Sequence, residues 1–163
     1  GSTIIHDFSQ TINVAGTHSL TGVEFAAQSQ LFFLPAPFNN LGVVGNFTHV
    51  DAPEMFTGIS KNSYNATLYY ETAKYGARVS VNYRSRYYDS HSTGPVDAGT
   101  QGYEAQTYVD AAAFYNITPK LQLTFDAVNL TNEKNTEFFG QARYLYNQTQ
   151  SGATYMVGVS YKY

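Results

Sequence analysis

The sequence predicts an all-β chain: an antiparallel, up-and-down transmembrane β-barrel segment of about eight strands, one unit over residues 1–163. Three observations lead there. Apolar and polar residues alternate with a period of two along most of the chain, and no stretch repeats with the helical period. Prolines 35, 37, 53, 95 and 119 all fall between the alternating runs, as a ladder that needs every N–H requires. Short and long connections also follow one another in turn, which puts tight turns on one rim and long loops on the other.

Composition narrows the class. Charged residues make up 13%, about half the share of an average soluble domain, and aromatics reach 16% with 15 Tyr, 11 Phe and no Trp. Low charge with many tyrosines suits a lipid-facing surface bounded by interfacial girdles. Mean hydropathy is −0.30, and no apolar run approaches the roughly 18 residues of a membrane-spanning helix, so any crossing is by strands. A net charge of −3 gives nucleic acid no foothold. Without cysteine there are no disulfides, thiolate metal sites or cysteine nucleophiles. Gly1-Ser2 looks like a cloning or cleavage remnant, with no signal peptide behind it.

In chain order, Thr3–Asn13 alternates loosely and is the first expected strand. Thr21–Leu34 sets Val23, Phe25 and Ala27 against Glu24, Ala26 and Gln28, and the Pro35-Ala36-Pro37 turn ends it. Leu41–Asp51 and Asn62–Thr72 follow, separated by the loop Ala52–Lys61; the second sets Tyr64, Ala66, Leu68 and Tyr70 against Asn65, Thr67 and Glu71. After the tight turn Ala73–Gly76, Ala77–Tyr88 opposes Ala77, Val79, Val81, Tyr83 and Tyr87 to Arg78, Ser80, Asn82, Arg84 and Arg86. Asp89–Gly102 is an expected long loop, Tyr103–Thr118 a strand and Thr118-Pro119-Lys120 a turn. Leu121–Leu130 is a strand, and Thr131–Gly152 the longest expected loop. The closing strand Ala153–Tyr163 carries Tyr155, Val157, Val159, Tyr161 and Tyr163 on one face and Thr154, Met156, Gly158, Ser160 and Lys162 on the other. It runs from a long loop to the short-turn rim, which predicts a periplasmic C-terminus.

Four stretches in register look familiar. They are Leu34-Pro35-Ala36-Pro37 through Asn46-Phe47-Thr48-His49-Val50-Asp51; Gly58-Ile59-Ser60-Lys61-Asn62-Ser63-Tyr64-Asn65 into Leu68-Tyr69-Tyr70-Glu71; Ala77 to Tyr87; and Leu123-Thr124-Phe125-Asp126-Ala127-Val128-Asn129-Leu130-Thr131-Asn132-Glu133. Together they resemble the C-terminal part of TonB-dependent outer-membrane receptors, in the branch of sphingomonads, caulobacters and xanthomonads. The closing strand is similar to a barrel-assembly signal, with Gly158, Tyr161 and Tyr163 at its glycine and aromatic positions and Met156 where a polar residue is usual. The resemblance implies the bacterial outer membrane and non-enzymatic uptake of siderophore-bound iron, cobalamin or oligosaccharide through a plugged barrel of about 22 strands. It implies lipid, lipopolysaccharide, the barrel-assembly machinery and the rest of the barrel and plug as partners, with TonB reached through other segments. By that resemblance the chain corresponds to about the last third of such a wall, with no plug domain among residues 1–163, and is not expected to transport alone.

Expected functional positions follow from the alternation. Arg78, Arg84, Arg86 and Lys162, with Glu24, Glu71, Asp110 and Asp126, face the lumen, four positives against four negatives. They form an anionic substrate path or plug contact or, more simply, pair with one another; in a self-closed small barrel they are forced together. Tyr64, Tyr70, Tyr83, Tyr87, Tyr115 and Tyr155 are expected interfacial aromatics. His6, His18, His49 and His91 lack metal-ligand spacing, the Asn-X-Ser/Thr triplets fall mostly on strands, and no motif supports catalysis, so no cofactor, metal or enzyme is expected. Two other readings stand beside the receptor: a complete eight-stranded outer-membrane anchor or adhesin, and a soluble lipocalin-like barrel binding a small ligand inside.

Overall fold

The computed structural model describes residues 16–53, 56–90, 99–140 and 143–163. The strand expected at Thr3–Asn13 lies outside them. Eleven strands are described: β1 (Thr21–Gln30), β2 (Leu41–Asp51), β3 (Asn62–Glu71), β4 (Tyr75–Arg84), β5 (Tyr87–Ser90), β6 (Gln101–Tyr103), β7 (Gln106–Thr118), β8 (Leu121–Val128), β9 (Asn135–Phe139), β10 (Tyr144–Thr149) and β11 (Thr154–Tyr161).

Seven of them form an antiparallel wall in the order β1-β2-β3-β4-β7-β8-β11. The predicted meander is there, and Leu41–Asp51 matches to the residue. Cross-strand register keeps one face apolar over the whole width. Phe25, Phe47, Tyr64 and Tyr83 pair in one row, Ala27, Gly45, Ala66, Val81 and Val109 in the next, and Val43, Leu68, Val79, Ala111, Ala127 and Tyr155 beyond. A slip of one residue in any strand would reverse its contribution, so the alternation itself fixes this register. Among the described residues no other element covers the apolar face: Val157 is 72% exposed and Val159 69%, and only Ala127 and Phe138 are buried apolar side chains. Contiguous exposed apolar surface of that extent marks a lipid-facing sheet. β1 and β11 are the two edges and do not pair with each other, so the described wall is open.

The long connections differ from expectation. Asp89–Gly102 and Thr131–Gly152, expected as loops, contain strands, and the strand expected at Ala77–Tyr88 breaks after Arg84. A further interruption at Glu104-Ala105 divides the expected Tyr103–Thr118 strand into β6 and β7. The outer pieces form a second sheet in the order β10-β9-β6-β5. That order follows β11-β8-β7-β4 strand for strand, so the last four wall strands each continue past a break into an extension on the long-loop side. The breaks lie in one line, stitched by Ser85 N–H to Asn62 O at 2.8 Å, Glu104 N–H to Thr136 O at 2.9 Å and Leu130 N–H to Val109 O at 2.7 Å. The sequence signal fades there because a strand beyond the bilayer has no lipid to enforce alternation.

Three cross-strand pairs share one construction. Tyr69 lies over Gly42, Phe114 over Gly76 and Phe138 over Gly102, and a Cβ on any of these glycines would clash with its ring. An aromatic laid flat across a glycine covers backbone that has no side chain of its own.

Candidate functional site: the two faces of the wall

The polar face gathers a hydrogen-bonded row across three strands. Asn65 Nδ2 donates to Asn82 Oδ1, Asn82 Nδ2 to Asp110 Oδ2 at 3.4 Å, and Thr67 and Ser80 hydroxyls meet at 2.8 Å one pair further on. Asp110 also accepts the Asn129 backbone N–H at 2.9 Å. Asn129 itself is buried at φ +57°, a conformation Asn tolerates better than most residues. Its Oδ1 accepts Glu133 N–H at 2.8 Å, and its Nδ2 reaches Glu133 O at 3.3 Å and Gly152 O at 3.4 Å. One side chain thus ties the end of β8 to the entry of β9 and the approach to β11, while Asp110 anchors it to β7.

Glu71, Arg78 and Asp126 border a concavity of about 560 Å3 on this face, toward the short-turn rim, with Tyr69, Phe114 and Gln122. Arg78, Asp110 and Asp126 also border a neighbouring hollow of about 340 Å3. Arg84 ends β4, where its Nε donates to Ser60 Oγ and its Nη2 to Gly58 O, both at 2.6 Å. Its guanidinium stacks 3.7 Å above the Tyr87 ring. Arg86 follows the break and lines a separate hollow with Tyr88 and Phe56. Glu24 sits on edge strand β1, and Lys162 follows β11, its N–H bonded to Lys120 O at 2.8 Å. The described salt bridges are Lys61–Asp51 at 3.9 Å and Arg143–Glu104 at 3.5 Å, so none joins the eight expected lumenal charges to one another. An open sheet does not bring opposing strands within reach.

Aromatics band the apolar face at two heights. Toward the long connections are Phe25, Phe47 and the stacked pair Tyr64–Tyr83 at 4.8 Å, with Tyr155 beside Phe125 at 6.3 Å. Toward the short turns are Tyr70 stacked on Tyr75 at 5.9 Å, Tyr115 paired with Tyr75 beneath Lys74, and Tyr161. The two bands stand six residues apart on β3 and β11 and eight on β4, about 20–26 Å along a strand. Both slip along the pairing rows in the same direction from β2 to β11, the geometry of strands tilted to the membrane plane. Tyr163 follows β11 fully exposed, and Gly158 lies on the polar face opposite Thr124.

Tyr87 belongs to the extension, not to this wall, and stacks on Tyr103 at 5.1 Å. Tyr103 is paired across β6–β9 with Glu137, and the hydrogen bond to that carboxylate pushes its phenol up to about 12, with burial and the charge of Glu137 adding. Neither residue was singled out by sequence, and Asn129 stood out only as one of the discounted Asn-X-Ser/Thr triplets. The signal for Asn129 was Asn-Leu-Thr-Asn directly after a strand, two asparagines spaced for a turn. His49 Nδ1 bonds Asn62 Oδ1 at 2.7 Å, a structural tie, while His6 and His91 lie outside the described residues.

An antiparallel wall with one apolar, aromatic-banded face and one polar, concave face defines a membrane-spanning β-barrel of the outer-membrane class. The family described as TonB dependent receptor-like, beta-barrel, matches residues 1–130, and the chain belongs to that family. Neither a curated protein nor a solved structure matches it. The family is one of outer-membrane transporters and not of enzymes.

Proposed function

We propose that this chain is barrel wall of a TonB-dependent receptor that takes up a scarce nutrient: siderophore-bound iron, cobalamin or an oligosaccharide. The polar face lines the lumen, with Arg78, Glu71, Asp110 and Asp126 toward the plug and passing substrate. The apolar face meets lipid, its two tyrosine bands sit at the interfaces, and the C-terminus lies at the periplasmic rim. Gly158, Tyr161 and Tyr163 serve as the assembly signal read by the barrel-assembly machinery. TonB, the plug and the remaining wall are partners in the whole receptor, and the segment alone moves nothing actively.

The observation that carries this reading is the register, which holds seven strands with one face predominantly apolar while the other carries the charged and amide side chains and is hollowed. Family membership favours it over a free-standing anchor or adhesin and over a soluble ligand-binding barrel. The test is growth of cells with and without the intact receptor gene, under limitation for each nutrient class, in backgrounds with and without energised TonB. One nutrient is expected to depend on both. Independence of every nutrient from the gene overturns the uptake role and leaves the anchor reading.

A further inference from the structure

The three short connections of the wall are not alike. Thr72–Lys74 and Thr118–Lys120 are polar and carry lysines, and their threonine hydroxyls bond back to the turn, as Tyr75 N–H to Thr72 Oγ1 at 3.0 Å and Leu121 N–H to Thr118 Oγ1 at 3.1 Å. The connection from β1 to β2 holds no charged residue between Leu31 and Asn40 and turns phenylalanines outward. Phe33 is 80% exposed, Phe32 73% and Phe38 56%.

Its backbone is closed upon itself in spite of that exposure. Leu31 N–H bonds Leu41 O at 2.8 Å, Leu34 N–H bonds Leu31 O at 3.0 Å and Phe38 N–H bonds Pro35 O at 2.9 Å, while Leu41 N–H returns to Phe38 O. Pro35 and Pro37 have no N–H to satisfy. A segment entering lipid must dispose of its backbone donors, and between Leu31 and Phe38 two residues carry none while the N–H groups of Leu31, Leu34 and Phe38 are bonded within the hairpin.

The place of the turn in the aromatic bands names its partner. The short-turn band runs through Tyr70 on β3, Tyr75 on β4, Tyr115 on β7 and Tyr161 on β11. At the same level β2 offers Leu41, and on β1 the apolar-face series ends at Ser29, so among the described residues the band has no strand-borne ring at this end of the wall. The turn that follows β1 at this rim carries three exposed phenylalanines.

We propose that the Leu31–Phe38 turn is a membrane-inserting anchor, with Phe32, Phe33 and Phe38 sunk among the acyl chains of the leaflet at the short-turn rim. It completes the interfacial band that β1 lacks and fixes the depth of the β1–β2 hairpin. The inference rests on the wall crossing the bilayer and is independent of which nutrient is carried.

The test uses the whole receptor in phospholipid nanodiscs, with any cysteine outside these 163 residues replaced by serine, and single nitroxide labels at Phe33→Cys, Phe32→Cys, Ala73→Cys and Leu68→Cys; the 163 residues themselves hold no cysteine. Collisions with oxygen, which partitions into acyl chains, are compared with collisions with a water-soluble nickel chelate. Labels at Phe33 and Phe32 are expected to favour oxygen, as at Leu68 in mid-wall, whereas Ala73 favours nickel. A nickel preference at Phe33 and Phe32 equal to that at Ala73 puts the turn in water and overturns the anchor. Shielding of both labels from both reagents means protein covers the turn, and overturns it equally. A nickel preference at Leu68 instead fails the membrane-crossing wall itself and takes the anchor with it.

Discussion

The wall and its extension are made from the same hairpins, yet they dispose of apolar surface in opposite ways. The wall sends nearly all of it outward, so that Val157 and Val159 are open over more than two thirds of their area and stability depends on what surrounds the sheet. The extension turns Phe138 inward to 1% exposure, with Tyr88 edge-on at 5.8 Å and Gly102 beneath. The difference teaches that the line of breaks at Ser85-Arg86, Glu104-Ala105 and Asn129 is a change of solvent: lipid organises one side of it, a small buried core the other.

The contrast can be broken most forcefully at Phe138. Phe138→Ala should cost about 3–5 kcal/mol, confined to the extension: hydrogen exchange of β6 and β9 amides rises while β3 and β4 stay protected. Equal loss of protection in the wall would mean the two regions unfold as one. In the wall the matching change is Val79→Arg, expected to cost about 2–4 kcal/mol near mid-bilayer in denaturant unfolding from lipid vesicles. Leu145→Arg, on an exposed strand of the extension, should stay within about 0.5 kcal/mol. At the boundary, Asn129→Ala strands the Glu133 N–H and the Gly152 carbonyl and should cost about 1–3 kcal/mol, read as faster proteolysis between β8 and β11. Asn129→Gly relieves the backbone but still loses the side chain, so it should cost less than alanine yet remain destabilising, and the part that remains measures the clamp apart from the turn.

The smallest effect is acid–base. Tyr103 has its phenol raised in the folded state, so the protonated form is favoured by folding. Its contribution is whole below the ordinary tyrosine value near 10 and is lost as pH rises through about 12. Glu137→Gln should bring the tyrosinate absorbance of Tyr103 back toward 10, with the wall tyrosines unmoved.

The wall was legible because lipid and lumen impose two environments on alternate residues, and Tyr64-Asn65-Ala66-Thr67-Leu68 records both. Prolines marked its turns, and four familiar stretches pointed to the family. The extension was illegible for the same reason reversed: Asn135-Thr136-Glu137-Phe138-Phe139 and Tyr144-Leu145-Tyr146-Asn147 do not alternate, so their runs passed for loop. Among the candidate positions, the sequence put Arg78, Glu71, Asp110 and Asp126 on one face, and the register keeps them there. It could not foresee that Asp110 holds the Asn129 turn, that Arg84 folds back on Gly58 and Ser60, or that Tyr87 leaves the wall. Those outcomes depend on where strands break, and a break at Ser85-Arg86 has no marker such as proline or glycine.

The oblique drift of the two aromatic bands across the pairing rows has a mechanical consequence. Because the bands climb the ladder instead of following one row, their vertical separation depends on strand inclination as well as on residue count. In a barrel that inclination is tied to the register, and the alternation holds the register, so the staves cannot lean or rise without breaking ladder bonds. The wall therefore presents a fixed hydrophobic height between its tyrosine bands, and mismatch falls to the lipid, which thins or thickens to meet it.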